Sequence, residues 1–337
     1  MSLQVFVPCD SAALAVGANE VADALLKEAH ARGLSLDVQR NSSRGLFWLE
    51  PLIEVEVQGK RMAYGPVGFQ DIPSLLDADF LHGGDHALAL GDIESLPYLA
   101  QQQRLTFARM GVTRPLSLDD YAAHGGWQGL TQAVSLTGSE VVQTVLDSGL
   151  RGRGGAAFPA GIKWRTVMQA QAHQKYVVCN ADEGDSGTFS DRMTLEGDPY
   201  MLIEGMAIAG LAVGASQGYI YIRSEYPHAI ATMNTAISLA QAAGYLGDNV
   251  MGSGKAFHLQ VRKAAGAYVC GEETAMLESL EGKRGVVRHK PPLPAHEGLF
   301  GKPTVINNVM TLATVPAVIF DGPLAYQERG EGRTCAL

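Results

Sequence analysis

The first ninety residues alternate between short apolar runs and one helical pattern. Residues 3–8 (LQVFVP) and 34–40 (LSLDVQR) predict two strands. Between them, residues 18–33 carry apolar side chains at helical spacing and end on a glycine. Residues 52–64 predict two further strands, joined by a tight turn at Gln58-Gly59. The pattern therefore predicts the order strand, helix, strand, hairpin.

This order is the one found in thioredoxin-like folds, so we predict a small thioredoxin-like domain over residues 1–92. Thioredoxin-like ferredoxins hold a [2Fe–2S] cluster on such a frame, and a cluster of this kind needs four ligands. Residues 1–92 contain a single cysteine, Cys9. We therefore expect this domain to lack cluster ligands and to serve in structure or docking.

A second pattern begins after an irregular stretch. We predict that residues 93–135 form a linker that wraps over the surface, with a helix within residues 92–111 (DIESLPYLAQQQRLTFARMG). The sequence TGSE from Thr137 predicts a capping box, after which apolar residues follow at helical spacing until Gly149. We predict a larger α/β domain over residues 136–325.

The most apolar segment of the chain is residues 205–222 (GMAIAGLAVGASQGYIYI), bracketed by Glu204 and Arg223. The segment is rich in small residues, which favours a buried helix that runs into a strand over a membrane span. The start of the chain lacks the basic and apolar regions of a signal peptide. We therefore predict a cytoplasmic protein without direct membrane insertion.

Charge and cysteine content narrow the classes of ligand. The net charge of −9 argues against non-specific nucleic-acid binding, which depends on a basic surface. The four cysteines, with no C-x-x-C spacing, do not predict a metal site within this chain. The motif HGGDH at residues 82–86 is predicted to be surface loop rather than a metal site.

The segment GLRGRGGAAFPAGIKW at residues 149–164 is both glycine-rich and basic. Residues 152–157 match the G-x-G-x-x-G/A dinucleotide pattern, but a predicted helix precedes them where a Rossmann turn requires a strand. Glycine still lets the backbone approach a flat ring or a phosphate closely. Phe158 offers a stacking face, and Lys163 near a helix N-terminus favours a phosphate. The alternative is a flexible surface loop with solvated arginines.

Two acidic segments accompany this loop. Residues 175–192 (KYVVCNADEGDSGTFSDR) predict a buried strand with Asn180, Asp182, Glu183 and Asp185 at its carboxyl end, the edge at which α/β sheets bind ligands. Such carboxylates bind Mg²⁺ or Ca²⁺ or accept hydrogen bonds from ribose, nicotinamide or flavin. In residues 266–282 (GAYVCGEETAMLESLEG), Glu272 and Glu273 stand at a predicted helix start, where capping alone would also explain them.

Together with KPPLPAHEGLFGKPTVINN at residues 290–308, these motifs resemble the FMN- and NADH-binding subunit of respiratory complex I and its soluble relatives. The relatives are the flavin subunits of NAD-dependent formate dehydrogenase and of NAD-reducing hydrogenase. The resemblance covers roughly residues 100 to 325. The segments ADEGDSGTFSDRM and YIYIRSEYPHAI, with the cluster-free front domain, are most similar to the formate dehydrogenase beta subunit.

The resemblance implies two sets of site residues. Those implied to contact FMN are Gly152, Arg153, Gly154, Gly155, Lys163, Asn180, Asp182, Glu183, Gly271, Glu272, Asn307 and Asn308. Those implied to contact NAD(H) are Phe158, Asp185, Tyr268, Glu273 and Lys290. Asp185 stands where complex I subunits often have Glu. Thr166 and Leu293 occupy positions where complex I subunits can have aromatic residues against adenine, so we expect weaker or different adenine stacking.

The resemblance implies hydride transfer between nicotinamide and FMN, with no catalytic side chain of the protein itself. It also implies a complex with a thioredoxin-like iron–sulfur gamma-type subunit and a formate-oxidising molybdenum or tungsten alpha-type subunit. Relatives continue into a C-terminal region that binds a [4Fe–4S] cluster. This chain has Cys335 alone there, so we expect it to lack that region and the cluster to occur only in a full-length form.

Three alternatives stay open at this point. In the first alternative, the chain is the flavin subunit of a hydrogenase or of complex I. In the second, it is a truncated, non-catalytic FMN-binding or docking fragment. An ordinary Rossmann dehydrogenase is the least favoured, because its glycine turn would have to follow a strand. Preference between NAD and NADP, the direction of electron flow and the oligomeric state do not follow from the sequence.

Overall fold

The computed structural model of the protein describes residues 3–185 and 187–330. The chain divides into two compact units, residues 1–115 and 116–337. The boundary between the units falls after Pro115, within the predicted linker of residues 93–135, so part of that segment belongs to each unit. Cys335 and the chain end around it lie outside the described residues.

The first unit is a five-stranded sheet with helices between its strands. Its strand order is β2-β1-β3-β4-β5, with β1 and β2 parallel and each other neighbouring pair antiparallel. This topology is the predicted thioredoxin-like arrangement with one further edge strand. The elements are β1 (Leu3–Pro8), α1 (Ser11–Ala15), α2 (Ala18–Ala31), β2 (Leu36–Asn41), β3 (Ile53–Val57), β4 (Lys60–Tyr64), α3 (Ile72–Asp77), β5 (Ala89–Asp92) and α4 (Pro97–Ala100).

Local sequence explains the centre of this unit. Gln58 and Gly59 both have positive φ, 51° and 76°, which is the two-residue turn that joins β3 to β4 as predicted. Helix α2 buries Val21 and Leu25 against the sheet, in a core shared with Val5 and Ile53. The hairpin and the helix thus follow from turn chemistry and apolar spacing alone.

The prediction of a helix within residues 92–111 was wrong in extent. Only the four residues of α4 form an α-helix there, after a short 3₁₀ turn at Ile93–Ser95. The apolar residues of this stretch do not lie on one face of a helix, because different parts of the stretch contact different parts of the first unit. Leu99 packs with Leu46 and Leu52, while the carbonyl of Gly111 accepts a hydrogen bond from Asn41.

The second unit is a four-stranded, fully parallel sheet with helices around it. The strand order is β8-β7-β6-β9. Its elements are α5 (Leu118–Ala123), α6 (Gln128–Ser135), α7 (Gly138–Asp147), α8 (Ala160–Gln169), β6 (Tyr176–Ala181), α9 (Ser190–Gly197), α10 (Pro199–Val213), β7 (Gln217–Ile222), α11 (Pro227–Ala242), β8 (His258–Lys263), α12 (Glu273–Leu280), α13 (Pro294–Glu297), β9 (Thr304–Asn308), α14 (Val309–Asp321) and α15 (Pro323–Gln327).

The apolar segment forms the centre of this unit. Every residue of α10 is buried, and the chain then enters β7, as predicted. Glu204 is also buried, and the cost of burying its carboxylate is offset by hydrogen bonds from the Tyr121 hydroxyl and from the backbone N–H groups of Trp127 and Leu130. None of the described helices has the length and apolar character needed to cross a membrane.

The order of the strands indicates where along the sheet a ligand is expected to bind. From β6 the chain moves outward to β7 and β8, and it then returns to the other side of β6 to form β9. The direction of the connections therefore reverses between β6 and β9. In parallel α/β sheets, ligands bind at the carboxyl ends of the two strands that flank such a reversal.

Candidate functional site

Two adjoining cavities lie at the reversal point, with volumes of about 660 Å³ and about 290 Å³. They share Asn180 and Asn308, paired neighbours near the ends of β6 and β9, and also Gly154, Gly271 and Glu272. We call the two together the cleft. Every residue predicted for FMN or NAD(H) lines one cavity or the other. Volumes of this size are typical of sites for cofactors and similar ligands.

The glycine loop, residues 152–158, connects α7 to α8 and closes one side of the cleft. Its neck is held because the Gly152 N–H donates to the Phe158 carbonyl at 2.9 Å. Inside the loop the Arg153 N–H donates to the Thr311 hydroxyl at 2.9 Å. Gly154 and Gly155 are exposed to the cleft, and Gly155 has a φ of 103°, which favours glycine. The loop follows a helix, as predicted, and is not a Rossmann turn.

The loop after β6 forms the floor of the larger cavity. The Glu183 carboxylate accepts hydrogen bonds from the N–H groups of Asp191 and Arg192, and from the hydroxyls of Ser190 and Tyr226. It thereby caps the N-terminus of α9. The predicted flavin residue Glu183 thus lines the cavity, while its side chain stabilises the helix behind it.

Two other carboxylates of this loop face the cavity. Burial raises the pKa of Asp182 to about 6, although Arg223 acts to lower it. The buried Oδ2 of Asp182 has no hydrogen-bond partner in the described structure. Asp185 is exposed and accepts a hydrogen bond from the Tyr268 hydroxyl at 2.9 Å. The Tyr268 ring lies so close to Gly184 that a Cβ there would approach it to 2.7 Å.

At the smaller cavity, two glutamates at the start of α12 form ion pairs with one lysine. Lys290 Nζ lies 2.9 Å from one oxygen each of Glu272 and Glu273. Glu272 also accepts from the N–H groups of Thr274 and Ala275, so the predicted capping role is present as well. Burial acts to raise the pKa of Glu272, yet these hydrogen bonds together lower it to about 2.

Lys163 approaches the same cavity from α8. Its ammonium donates to the Ile306 carbonyl at 2.7 Å and lies 3.5 Å from Glu273. Burial lowers the pKa of Lys163, and the neighbouring Glu273 opposes that shift. Phe158, half exposed at 49%, presents its ring at the edge of this cavity. A cation and an open aromatic face thus adjoin the glycine loop.

The asparagine pair at the end of β9 is held rigidly. Asn307 accepts a hydrogen bond from the Trp164 indole N–H at 2.9 Å. The Oδ1 of Asn308 accepts from both the N–H and the hydroxyl of Thr311, and its Nδ2 donates to Asp191 at 3.2 Å. Burial and the nearby Glu183 raise the pKa of Asp191 well above its usual range.

Asp191 and Thr311 are site residues that the sequence analysis missed. Asp191 stands in the first turn of α9, where an acidic residue is common for reasons of helix capping alone. Thr311 lies inside the first turn of α14 and is fully buried. The pattern NN-x-x-T at a helix start is the signal that could have indicated Thr311, since Asn at the N-cap pairs with the third residue after it.

Thr166 and Leu293, which stand where complex I subunits can have aromatic residues against adenine, offer no ring here. The Thr166 hydroxyl donates a hydrogen bond to the Ile162 carbonyl within α8, and Leu293 is half exposed. In the first unit, His82 contacts Asp79 and His86 contacts Ser74. Within residues 3–185 and 187–330, no group of three or more His, Cys, Asp or Glu side chains is arranged to hold a metal ion.

Comparison with known proteins decides the family. Residues 145–317 match the family model described as the Nuo51 FMN-binding domain of complex I. This range spans the glycine loop, both acidic segments and the asparagine pair. The chain belongs to this family.

Several relatives are similar in sequence or structure. The chain is 51% identical over 222 residues to the NADP-reducing hydrogenase subunit HndC of Solidesulfovibrio fructosivorans, covering 66% of this chain and 45% of that protein. It is 51% identical over 218 residues to an NADH-quinone oxidoreductase subunit of Rhizobium meliloti (strain 1021), covering 64% and 52%. The chain thus spans about half the length of these relatives.

A solved structure is similar over nearly the whole chain. The NAD⁺-reducing [NiFe]-hydrogenase in its H₂-reduced state matches with a TM-score of 0.59 and 27% sequence identity. The match covers 99% of this chain and 55% of that chain. It therefore includes both units of the fold described above.

The residues of the cleft fit a bound FMN. The glycine loop offers backbone without Cβ atoms, against which a flat ring can lie. Lys163 and Lys290 supply positive charge for a phosphate, and the buried, unpartnered Asp182 Oδ2 is a polar atom that a ligand in the cavity would satisfy. The family match and the lining therefore agree on the flavin.

Proposed function

We propose that this chain is the FMN-containing, NAD(H)-oxidoreducing module of a larger complex, in which hydride passes between nicotinamide and flavin. The observation that carries the proposal is the convergence of the glycine loop, both acidic segments and the asparagine pair on one cleft. Bound FMN would supply the hydride chemistry itself. The side chains of this protein would bind and orient the two cofactors.

The roles of the side chains follow from their positions. Lys163 and Asn307, at the smaller cavity, would hold the FMN phosphate end, with the glycine loop along the flavin. Asp182 and Asn180 would accept and donate hydrogen bonds at the ring. Phe158 and Tyr268, both open to the cleft, would contact the nicotinamide nucleotide, with Asp185, Glu273 and Lys290 beside them.

The test uses the purified 337-residue chain. FMN is added, the protein is desalted, and NADH is then added without oxygen while the visible spectrum is recorded. Retained flavin that bleaches on NADH addition is the expected result. A Lys163→Met variant should retain less flavin, whereas Lys27→Met in the first unit should behave like the unmodified chain. A chain that folds but retains no flavin would contradict the proposal and favour a non-catalytic fragment.

We further propose that the complex is a cytoplasmic NAD-dependent formate dehydrogenase. The segments after β6 and in β7 and α11, together with a first unit that has one cysteine, support this assignment. Its partners would be an iron–sulfur gamma-type subunit and a molybdenum- or tungsten-containing alpha-type subunit.

The second candidate is the flavin subunit of a hydrogenase or of complex I. The 51% identity to a hydrogenase subunit and to a quinone oxidoreductase subunit favours it. Purification of the tagged chain from its native cells, followed by identification of the co-purifying subunits, separates the candidates. NAD⁺ reduction by that complex with formate, and not with H₂, is the outcome expected of a formate dehydrogenase.

A further inference from the structure

The backbone of the glycine loop is bonded to the first turn of α14 by one buried hydroxyl. The Arg153 N–H donates to the Thr311 Oγ1 at 2.9 Å, and Thr311 has no exposed surface. The guanidinium of the same arginine donates to the Tyr326 hydroxyl at 3.2 Å. Arg153 is therefore fixed through its backbone by α14 and through its side chain by α15.

The Thr311 hydroxyl also orients Asn308. It donates to the Asn308 Oδ1 at 2.9 Å, and the Thr311 N–H donates to the same oxygen at 3.0 Å. With two donors on Oδ1, the amide must turn its Nδ2 towards Asp191. A continuous chain of hydrogen bonds thus runs from the glycine loop through Thr311 and Asn308 to Asp191 of α9.

The rest of the loop has little packing of its own. Gly154, Gly155, Ala156 and Ala157 are all exposed, and a Cβ on Gly155 would meet nothing within 4 Å. The conformation of such a loop is set by its end points and by the bonds that reach into it. The Arg151 guanidinium also bonds to the far end of the loop, at the Ala157 carbonyl. The Arg153 N–H lies directly before the glycines, so its bond to Thr311 helps to set where they lie relative to Asn308.

We propose that Thr311 is a positioning residue whose hydroxyl fixes the glycine loop to Asn308 and so shapes the flavin cradle before FMN binds. The flavin part of this inference rests on the proposed function, while the fixing of the loop does not. A cradle that is ordered in advance saves the ligand the cost of ordering it. The loss of this bond should therefore weaken FMN binding without a direct contact between Thr311 and the flavin.

The experiment compares three variants of the full chain. Thr311→Val keeps the shape and removes the hydroxyl, whereas Thr311→Ser keeps the hydroxyl. Thr314→Val is the matched control, because the buried Thr314 hydroxyl donates only to the Met310 carbonyl of its own helix among the hydrogen bonds identified in the described structure. Hydrogen–deuterium exchange of peptides covering residues 150–158 is measured without FMN, and the Kd for FMN is measured by flavin fluorescence.

In Thr311→Val we expect the amides of Gly152 and Arg153, which donate hydrogen bonds in this structure, to exchange about fivefold faster. FMN should bind about fivefold more weakly, from the usual net effect of one hydrogen bond. Thr311→Ser and Thr314→Val should resemble the unmodified chain in both measurements. If Thr311→Val does not fold, Thr311→Ala replaces it with the same readouts.

Two results would overturn the inference. The first is unchanged exchange of the loop in Thr311→Val, since the hydroxyl would then not fix the loop. The second is faster exchange with an unchanged Kd for FMN, since a fixed loop would then not matter for the ligand. An unmodified chain that binds no FMN would contradict the proposed function, and the exchange measurement would still decide whether Thr311 fixes the loop.

Discussion

At the scale of single residues, neighbouring carboxylates of the cleft have different tasks although they belong to one short motif. Glu183 is buried and accepts four hydrogen bonds, three from the start of α9 and one from the Tyr226 hydroxyl. Asp185, two residues later, is exposed and contacts Tyr268. Glu183 therefore contributes chiefly to stability, whereas Asp185 is available to a ligand.

This difference gives the first prediction. Glu183→Ala removes a helix cap and leaves the buried Tyr226 hydroxyl without that acceptor, so we expect a loss of about 3 kcal/mol in the free energy of unfolding. Asp185→Ala, as the matched control on the same loop, should change it by less than about 0.5 kcal/mol. Urea denaturation followed by circular dichroism measures both. Equal losses in the two variants would contradict the assigned roles.

A second buried carboxyl, in the first unit, makes stability depend on pH. Burial raises the pKa of Glu50 to about 7, and the neighbouring carboxylates Asp10 and Glu54 act in the same direction. Its Oε2 accepts from the Leu52 N–H, while its buried Oε1 has no partner among the described residues. The folded chain thus keeps a proton that the unfolded chain releases near the ordinary pKa of 4.5.

The sign of the effect follows from this linkage. Because the folded state binds the proton more tightly, Glu50 lowers stability progressively as the pH rises from 4.5 to 7, by roughly 3 kcal/mol in all. Glu50→Gln cannot ionise and still accepts the Leu52 N–H. We expect its stability relative to the unmodified chain to increase over this pH range and to level off above pH 7. A difference that is constant with pH would refute the prediction.

What the sequence could not supply at this scale is the direction of side chains. The motif CNADEGD placed Asp182 and Glu183 next to each other, but only the fold turns one towards the cavity and the other towards α9. Asp191 was missed because its partner Asn308 lies 117 residues away along the chain. For Thr311 the local pairing with Asn308 was readable, but its bond to the Arg153 N–H, 158 residues away, was not. Local propensity carries no information about such contacts.

At the scale of elements, the sequence predicted correctly those turns and helix caps that depend only on neighbouring residues. The Gln58-Gly59 turn and the capping box of Thr137 with Glu140 are present as expected, because each depends on residues within one turn. The prediction of a helix within residues 92–111 failed because Leu99 and the Gly111 carbonyl contact residues of the first unit that are distant along the chain. Tertiary contacts there outweigh helical spacing.

The packing of α10 against α14 gives a prediction at this scale. A Cβ on Gly205 would lie 2.0 Å from the backbone carbonyl oxygen of Leu312, so the two helices touch at this glycine. Gly205→Ala should therefore destabilise the protein by about 3 kcal/mol, although the same change in an exposed helix would stabilise it by about 1 kcal/mol. Thermal denaturation measures the change. A raised melting temperature would show that α10 and α14 are not so close.

At the scale of the whole molecule, the cleft belongs to the second unit alone. All its lining residues lie within residues 116–337, and that unit has its own buried centre around α10 and the parallel sheet. The first unit has a separate core built from α2 and its sheet. We therefore expect the cleft to fold without the residues of the first unit.

The consequence is a prediction about a shortened chain. A protein of residues 116–337 should fold and bind FMN with the Kd of the full chain, because every proposed contact is retained. The same fragment with Lys163→Met should bind FMN more weakly, since the cation beside the Ile306 carbonyl is lost. Circular dichroism confirms folding, and flavin fluorescence gives both affinities. A folded fragment that binds no FMN while the full chain does would show that the first unit shapes the cleft.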